Sequence, residues 1–171
     1  MKMAIRTVRV MGDPILRKTS KEVKTITPRL KTLIDDMFDT MKEQEGVGLA
    51  APQVGILKRI CVIDTGEEAF VLINPVVLET SGEQDGEEGC LSVPGKYGFV
   101  KRPMYVKVKS FNENMEEVII EGEGLKARAI LHEMDHLDGV LYVDHADQLY
   151  NNGEGPASEE DDELEIEDSE E

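Results

Sequence analysis

Leu-Lys-Ala-Arg-Ala-Ile-Leu-His-Glu-Met-Asp-His-Leu, residues 125–137, is the stretch on which the reading of the fold turns. Leu125, Ala129, His132 and His136 recur at spacings of four, three and four, so they share one face of a helix, and Gly139 is placed to stop it. Within that helix, His132-Glu133-Met134-Asp135-His136 is an H-E-x-x-H pattern. Two imidazoles one turn apart converge on one metal, while the intervening carboxylate reaches a metal-bound water. The chain has 3 histidines, and this pattern uses two of them.

Upstream of the helix, short β-type runs are predicted at 59–64, 69–74 and 76–79, then at 104–110 and 116–121, with 111–115 as the hairpin loop of the last two. An earlier helix is predicted over 28–44. Thr27 is its N-cap, Pro28 takes the first helical position, and Leu30, Leu33, Ile34, Met37, Phe38 and Met41 recur on one face. Gly46 and Gly48 then open a small-residue segment reaching Gln53, where the backbone can approach another group closely. Strands before the histidine-bearing helix, with no βαβ alternation, give an α+β class: antiparallel strands around a central metal-binding helix.

The chain has 171 residues and 40% hydrophobic content, which fits one soluble globular unit. Its formal charge of −17 is uneven, because residues 154–171 carry 11 acidic side chains and no Lys or Arg, leaving 25 acidic against 19 basic residues before them. That terminal stretch has only Leu164 and Ile166 as large apolar residues, so it cannot bury enough surface to offset the entropy of ordering. The expected division is a catalytic domain over 1–150 and a disordered acidic tail over 151–171. An anionic surface repels a DNA backbone or an anionic membrane, so neither is expected as a partner. With no apolar run of roughly 20 residues and no secretory signal at the start, a cytoplasmic location is expected. In that reducing compartment Cys61 and Cys90 are expected to act separately, Cys61 as core.

A catalytic metal site needs three protein ligands and an open position, so a third ligand must join His132 and His136. A third histidine six residues after the second would extend the pattern, but Tyr142 stands there. Glu154 and Glu159 lie at a suitable separation but within the Gly/Pro-broken acidic stretch, where no packed element holds them. Cys90 is the remaining candidate: its thiolate would complete a Cys-His-His site, and although a cysteine taken alone reads more readily as a small buried hydrophobe, its motif context reverses that.

Three segments in order, Gly46-Val47-Gly48-Leu49-Ala50-Ala51-Pro52-Gln53, Glu88-Gly89-Cys90-Leu91-Ser92 and His132-Glu133-Met134-Asp135-His136-Leu137-Asp138-Gly139, resemble the signature motifs of the peptide deformylase family. Gly12-Asp13-Pro14-Ile15-Leu16-Arg17 resembles that family's start, so the likeness spans about 1–150. It implies a metallohydrolase that removes the N-terminal formyl group from formyl-methionyl nascent polypeptides and releases formate. One Fe(2+) ion per chain, with Zn, Ni or Co as substitutes, would sit on Cys90, His132 and His136. A metal-bound water would attack the formyl carbonyl, with Glu133 as general acid and base and with the Gln53 amide and the Leu91 backbone N–H as oxyanion donors. Val47 and Gly48 would pair with an extended substrate backbone, Leu125 and Ala129 would line the methionine pocket, and Glu88 with Arg102 would support the cysteine loop. The chain departs from the family at Leu131, where many members carry Gln. It also ends in an acidic stretch, so transient ribosome association is not expected through a basic C-terminal helix.

Overall fold

The computed structural model describes residues 4–152. All of the expected acidic tail beyond Asn152 lies outside the described residues. Strand β1 spans Gly48–Ala50, β2 Ile60–Asp64, β3 Ala69–Ser81, β4 Gln84–Cys90, β5 Val93–Arg102, β6 Tyr105–Phe111, β7 Glu117–Glu123 and β8 Leu149–Asn151. Helix α1 spans Pro28–Glu43 and α2 Leu125–Leu137. The strands form a five-stranded sheet in the order β1-β2-β3-β6-β7 and a three-stranded sheet in the order β4-β5-β8. Every pair of these strands is antiparallel, so the α+β class read from the sequence is the one observed. No helix among the described residues is long and apolar enough to cross a membrane.

Helix α1 begins as its sequence dictates. The Thr27 hydroxyl accepts from the Leu30 N–H at 3.2 Å, and Pro28 fills a position where no N–H is needed. Strand β2 explains its own uninterrupted apolar run, because alternate residues point to opposite sheet faces. Ile60 and Val62 join Leu33, Ile34, Met37 and Met41 of α1 in one core cluster. Cys61 and Ile63 join Ala127, Ile130 and Leu137 of α2 in a second, which makes Cys61 a core residue. The sheet is thus covered by a helix on each face, and α2 is clamped where its histidines can be aimed.

Two predicted runs, 69–74 and 76–79, are one strand. Asn74 takes a φ of +50° before Pro75, and the register shifts between Ile73 and Val76, so β3 passes the proline by a bulge. The Asn74 side chain fixes this kink by accepting from the Val23 N–H at 2.8 Å and donating to the Val23 carbonyl at 2.7 Å. Strands β4 and β5 carry no apolar alternation that would announce them. Strand β8 extends ordered structure past position 150, with Asn151 opposite Lys96. Gly139 ends α2 with φ +76°, and a Cβ there would lie 2.6 Å from the Arg17 carbonyl carbon, so the helix terminus is pressed against the N-terminal segment.

Candidate active site

Helix α2 carries His132, Glu133 and His136 on buried positions, and the end of β4 delivers Cys90 to them. The ligand atoms of Cys90, His132 and His136 all lie within 4.8 Å of one another. Cys90 Sγ is 3.4 Å from His136 Nε2. Glu133 stands between the two imidazoles, with Oε2 3.9 Å from His132 Nε2 and Oε1 4.0 Å from His136 Nε2. Above the group opens a cavity of about 530 Å³ whose walls include Val47, Gly48, Glu88, Cys90, Leu91, Leu125, Ala129, His132 and Glu133.

Glu88 is the buried hub behind the histidines. Its carboxylate accepts from Arg102 Nε at 2.8 Å and Nη2 at 2.9 Å, from Arg128 Nη1 at 2.6 Å, and pairs with His132 Nδ1 at 2.7 Å. Burial alone would push this carboxyl up, but the hydrogen bonds from Arg102 and His132 outweigh it and hold it at about 2. With Nδ1 bonded to Glu88, Nε2 of His132 faces the cavity, the orientation a metal-ligating histidine requires. Arg102 also donates from Nη1 to Asp135 at 2.7 Å, tying β5 to the outer side of α2.

The ionisable groups answer one another. Burial pushes Glu133 up to about 7, against the pull of His132. Burial lowers His136 well below the usual imidazole range, and a charged His132 lowers it further. Burial also opposes charge on His132, but Glu133, Cys90 and Glu88 overcome it and raise that imidazole well above its ordinary value.

A divalent metal ion fits the residues present. Glu133 Oε1 is buried without a hydrogen-bond partner beside the cavity, the Cys-His-His atoms already converge, and a mixed sulfur and nitrogen set suits Fe(II) or Zn(II). Close packing keeps the Glu133 carboxylate in place. A Cβ on Gly48 would lie 2.4 Å from Glu133 Oε2, so only glycine lets β1 pass this close.

Gln53 is 1% exposed and held at both ends. Its Oε1 accepts from the Ala50 N–H at 2.9 Å, while its Nε2 donates to Ser92 Oγ at 3.0 Å and reaches Cys90 Sγ at 3.5 Å. The Ser92 N–H also points to Cys90 Sγ, at 3.4 Å. The extended N-terminal segment staples the two loops together: the Arg9 N–H donates to the Gln53 carbonyl at 2.6 Å and the Met11 N–H to the Ser92 carbonyl at 2.7 Å. Leu91 lines the cavity beneath Gly46. Leu125 is 57% exposed at the rim and Ala129 lies buried below it. Leu131 packs against the α2 core cluster.

Sequence reasoning missed three contributors. Arg128 lies one turn before His132, a spacing that marks it as a neighbour, yet its role depends on β4 bringing Glu88 to it. Asp135 and Tyr142 are the others; the Tyr142 ring stacks on His132 with centroids 5.9 Å apart and planes at 26°.

Comparison with known proteins identifies related chains. The sequence profile of a family described as polypeptide deformylase matches residues 5–152. The peptide deformylase of Agathobacter rectalis is 63% identical over 142 residues, covering 83% of this chain and 90% of that protein. That of Lachnoclostridium phytofermentans is 60% identical over 145 residues, covering 83% and 89%. Among solved structures, the Thermotoga maritima peptide deformylase superposes with a TM-score of 0.82 at 44% identity, covering 86% of this chain and 100% of that one. A peptide deformylase from Synechococcus elongatus in complex with actinonin gives 0.80 at 44% identity, covering 82% and 78%.

Proposed function

Since this chain belongs to the polypeptide deformylase family, an enzyme family, we propose that it hydrolyses the N-terminal formyl amide of formyl-methionyl nascent peptides and releases formate. The observation that carries this reading is the buried Glu133 carboxyl, raised to about 7 and set between His132 and His136 at the floor of the cavity. A group poised near neutrality can both take and return a proton in one cycle.

Cys90 Sγ, His132 Nε2 and His136 Nε2 would hold the metal, proposed as Fe(II) with Zn, Ni or Co as substitutes. The chemistry supplied by an ion bound there is Lewis acidity, which polarises a carbonyl oxygen and acidifies water. Glu133 takes the proton of the attacking water and delivers it to the departing amine nitrogen. The Gln53 Nε2 and Leu91 N–H groups donate to the oxygen on which charge develops; loss of one such donor costs other hydrolases about 3–4 kcal/mol. The free edge of β1, at Val47 and Gly48, pairs with the backbone of an extended peptide. Leu125 and Ala129 contact the methionine side chain. Glu88, held by Arg102 and Arg128, fixes the His132 ring.

Such substrates place the enzyme in the cytoplasm, where nascent chains emerge. Residues 154–171 carry no basic side chain, so that segment would not itself dock on RNA by charge. The test is formate release from formyl-Met-Ala-Ser by protein loaded anaerobically with Fe(II). Wild type should release formate, and Glu133→Ala should keep one metal per chain but lose turnover. A metal-loaded wild type that releases none refutes the proposal.

A further inference from the structure

Ser92 has no ionisable group and no metal-ligating role, yet it is 0% exposed and its N–H, carbonyl and hydroxyl are all engaged. Its N–H points to Cys90 Sγ, its carbonyl accepts from Met11, and its hydroxyl accepts from Gln53 Nε2 at 3.0 Å. We propose that Ser92 is a positioning residue for Gln53, its hydroxyl holding one amide N–H so that the other faces the Cys90 side of the cavity. The inference rests on the deformylase reading of the same site.

A glutamine amide has two ends of nearly equal shape, and a serine hydroxyl alone accepts either, since it both donates and accepts. The Ala50 N–H can only donate, so it selects Oε1 and determines which end is nitrogen. Nε2 then has two hydrogens. Ser92 Oγ takes one along the shorter contact, and the other is left on the 3.5 Å approach to Cys90 Sγ. Sulfur is the weaker acceptor of the two, so the hydrogen facing Sγ is the one available to a substrate carbonyl oxygen. Without the hydroxyl the amide is still anchored through Oε1, but rotation about its last bond is no longer opposed at the nitrogen end. Preorganisation of the donor is what falls, with the metal donors themselves untouched.

The test is a double-mutant cycle with Ser92→Ala, Gln53→Ala and the double variant, measured on metal-loaded full-length protein with formyl-Met-Ala-Ser. Ser92→Ala should lower kcat by about tenfold with KM within about twofold, and should cost less than about twofold in the Gln53→Ala background. Bound metal per chain should stay unchanged. Losses that multiply in full, or a Ser92→Ala protein that fails to hold metal, would overturn the proposal. A readout independent of turnover is proton exchange of the Gln53 side-chain amide, followed by NMR on Zn(II)-loaded protein. Ser92→Ala should speed it by at least about tenfold, and an unchanged exchange rate would overturn the assignment. If wild type releases no formate, the deformylase reading fails while the exchange measurement still decides the role of Ser92.

Discussion

Gly48→Ala adds one methyl group and nothing else. Gly48 is not among the residues with positive φ, so alanine is conformationally acceptable there and the effect is steric. The added Cβ would lie 2.4 Å from Glu133 Oε2 and 2.8 Å from both Cδ and Cγ, whereas ordinary contact begins at 3.4 Å. Something must therefore move by roughly 1 Å. Glu133 is 5% exposed and boxed between two histidines, and β1 is held in register with β2 from Gly48 opposite Ile63 to Ala50 opposite Cys61. Either the carboxylate leaves its place over the histidines or the β1 edge, proposed to pair with the peptide, withdraws. A misplacement of about 1 Å costs on the order of a hundredfold in rate, and that is the expected fall in kcat/KM for formyl-Met-Ala-Ser. Metal content should be preserved, because the three atoms nearest the new methyl all belong to Glu133 and none to Cys90, His132 or His136. The assay is steady-state formate release with elemental analysis of the same preparation. Activity within threefold of wild type, at equal metal content, would refute the claim that Gly48 exists to admit Glu133.

Two further predictions follow from the carboxylates. Glu88→Ala would leave Arg102, Arg128 and His132 facing a buried gap, so a stability loss of about 3–5 kcal/mol and a 10–100-fold loss of metal affinity are expected. Denaturant unfolding and competitive metal titration would measure the two, and wild-type values for both would remove Glu88 from its supporting role. At the surface, Arg17 holds Asp144 below its ordinary value by a hydrogen bond. A lowered carboxylate contributes stability above its unfolded value of 3.8 and loses that contribution as pH falls through its folded value. Asp144→Asn should accordingly lower the thermal midpoint at pH 7 and match wild type at pH values below the folded one; a difference that persists or grows in acid would contradict this sign.

Helix α2 was legible because its information is local. Four residues spaced by one turn report a shared face whatever surrounds them, and the H-E-x-x-H pair lies within a single turn. Helix α1 was equally plain, with its cap, its first-turn proline and its apolar stripe in one window. Strands β4 and β5 were not, since Gln-Asp-Gly-Glu-Glu-Gly-Cys shows no apolar alternation. What makes β4 a strand is β5 pairing along it from Gln84 opposite Arg102 to Gly89 opposite Tyr97. The division of β3 into two runs failed for a related reason: Pro75 looks like a terminator until Asn74 and the bulge provide a way past it.

The same boundary runs through the site. Sequence by itself determined the chemistry on offer: two imidazoles and a carboxylate one helical turn apart, and a cysteine in a glycine-flanked motif. Only the tertiary structure decided that Cys90, 46 residues from His136, lies beside it, and that Glu88 is a buried hub for two arginines and His132 rather than a surface acid. It also showed that Gln53 is clamped by Ala50 and Ser92, and that Gly48 is glycine because Glu133 occupies the space a side chain would need. Spacing along a helix is set by covalent geometry and can be read from order alone. Desolvation, hydrogen-bond partners and close approach depend on which distant segments share a volume, and that is settled when the two sheets and α2 pack together.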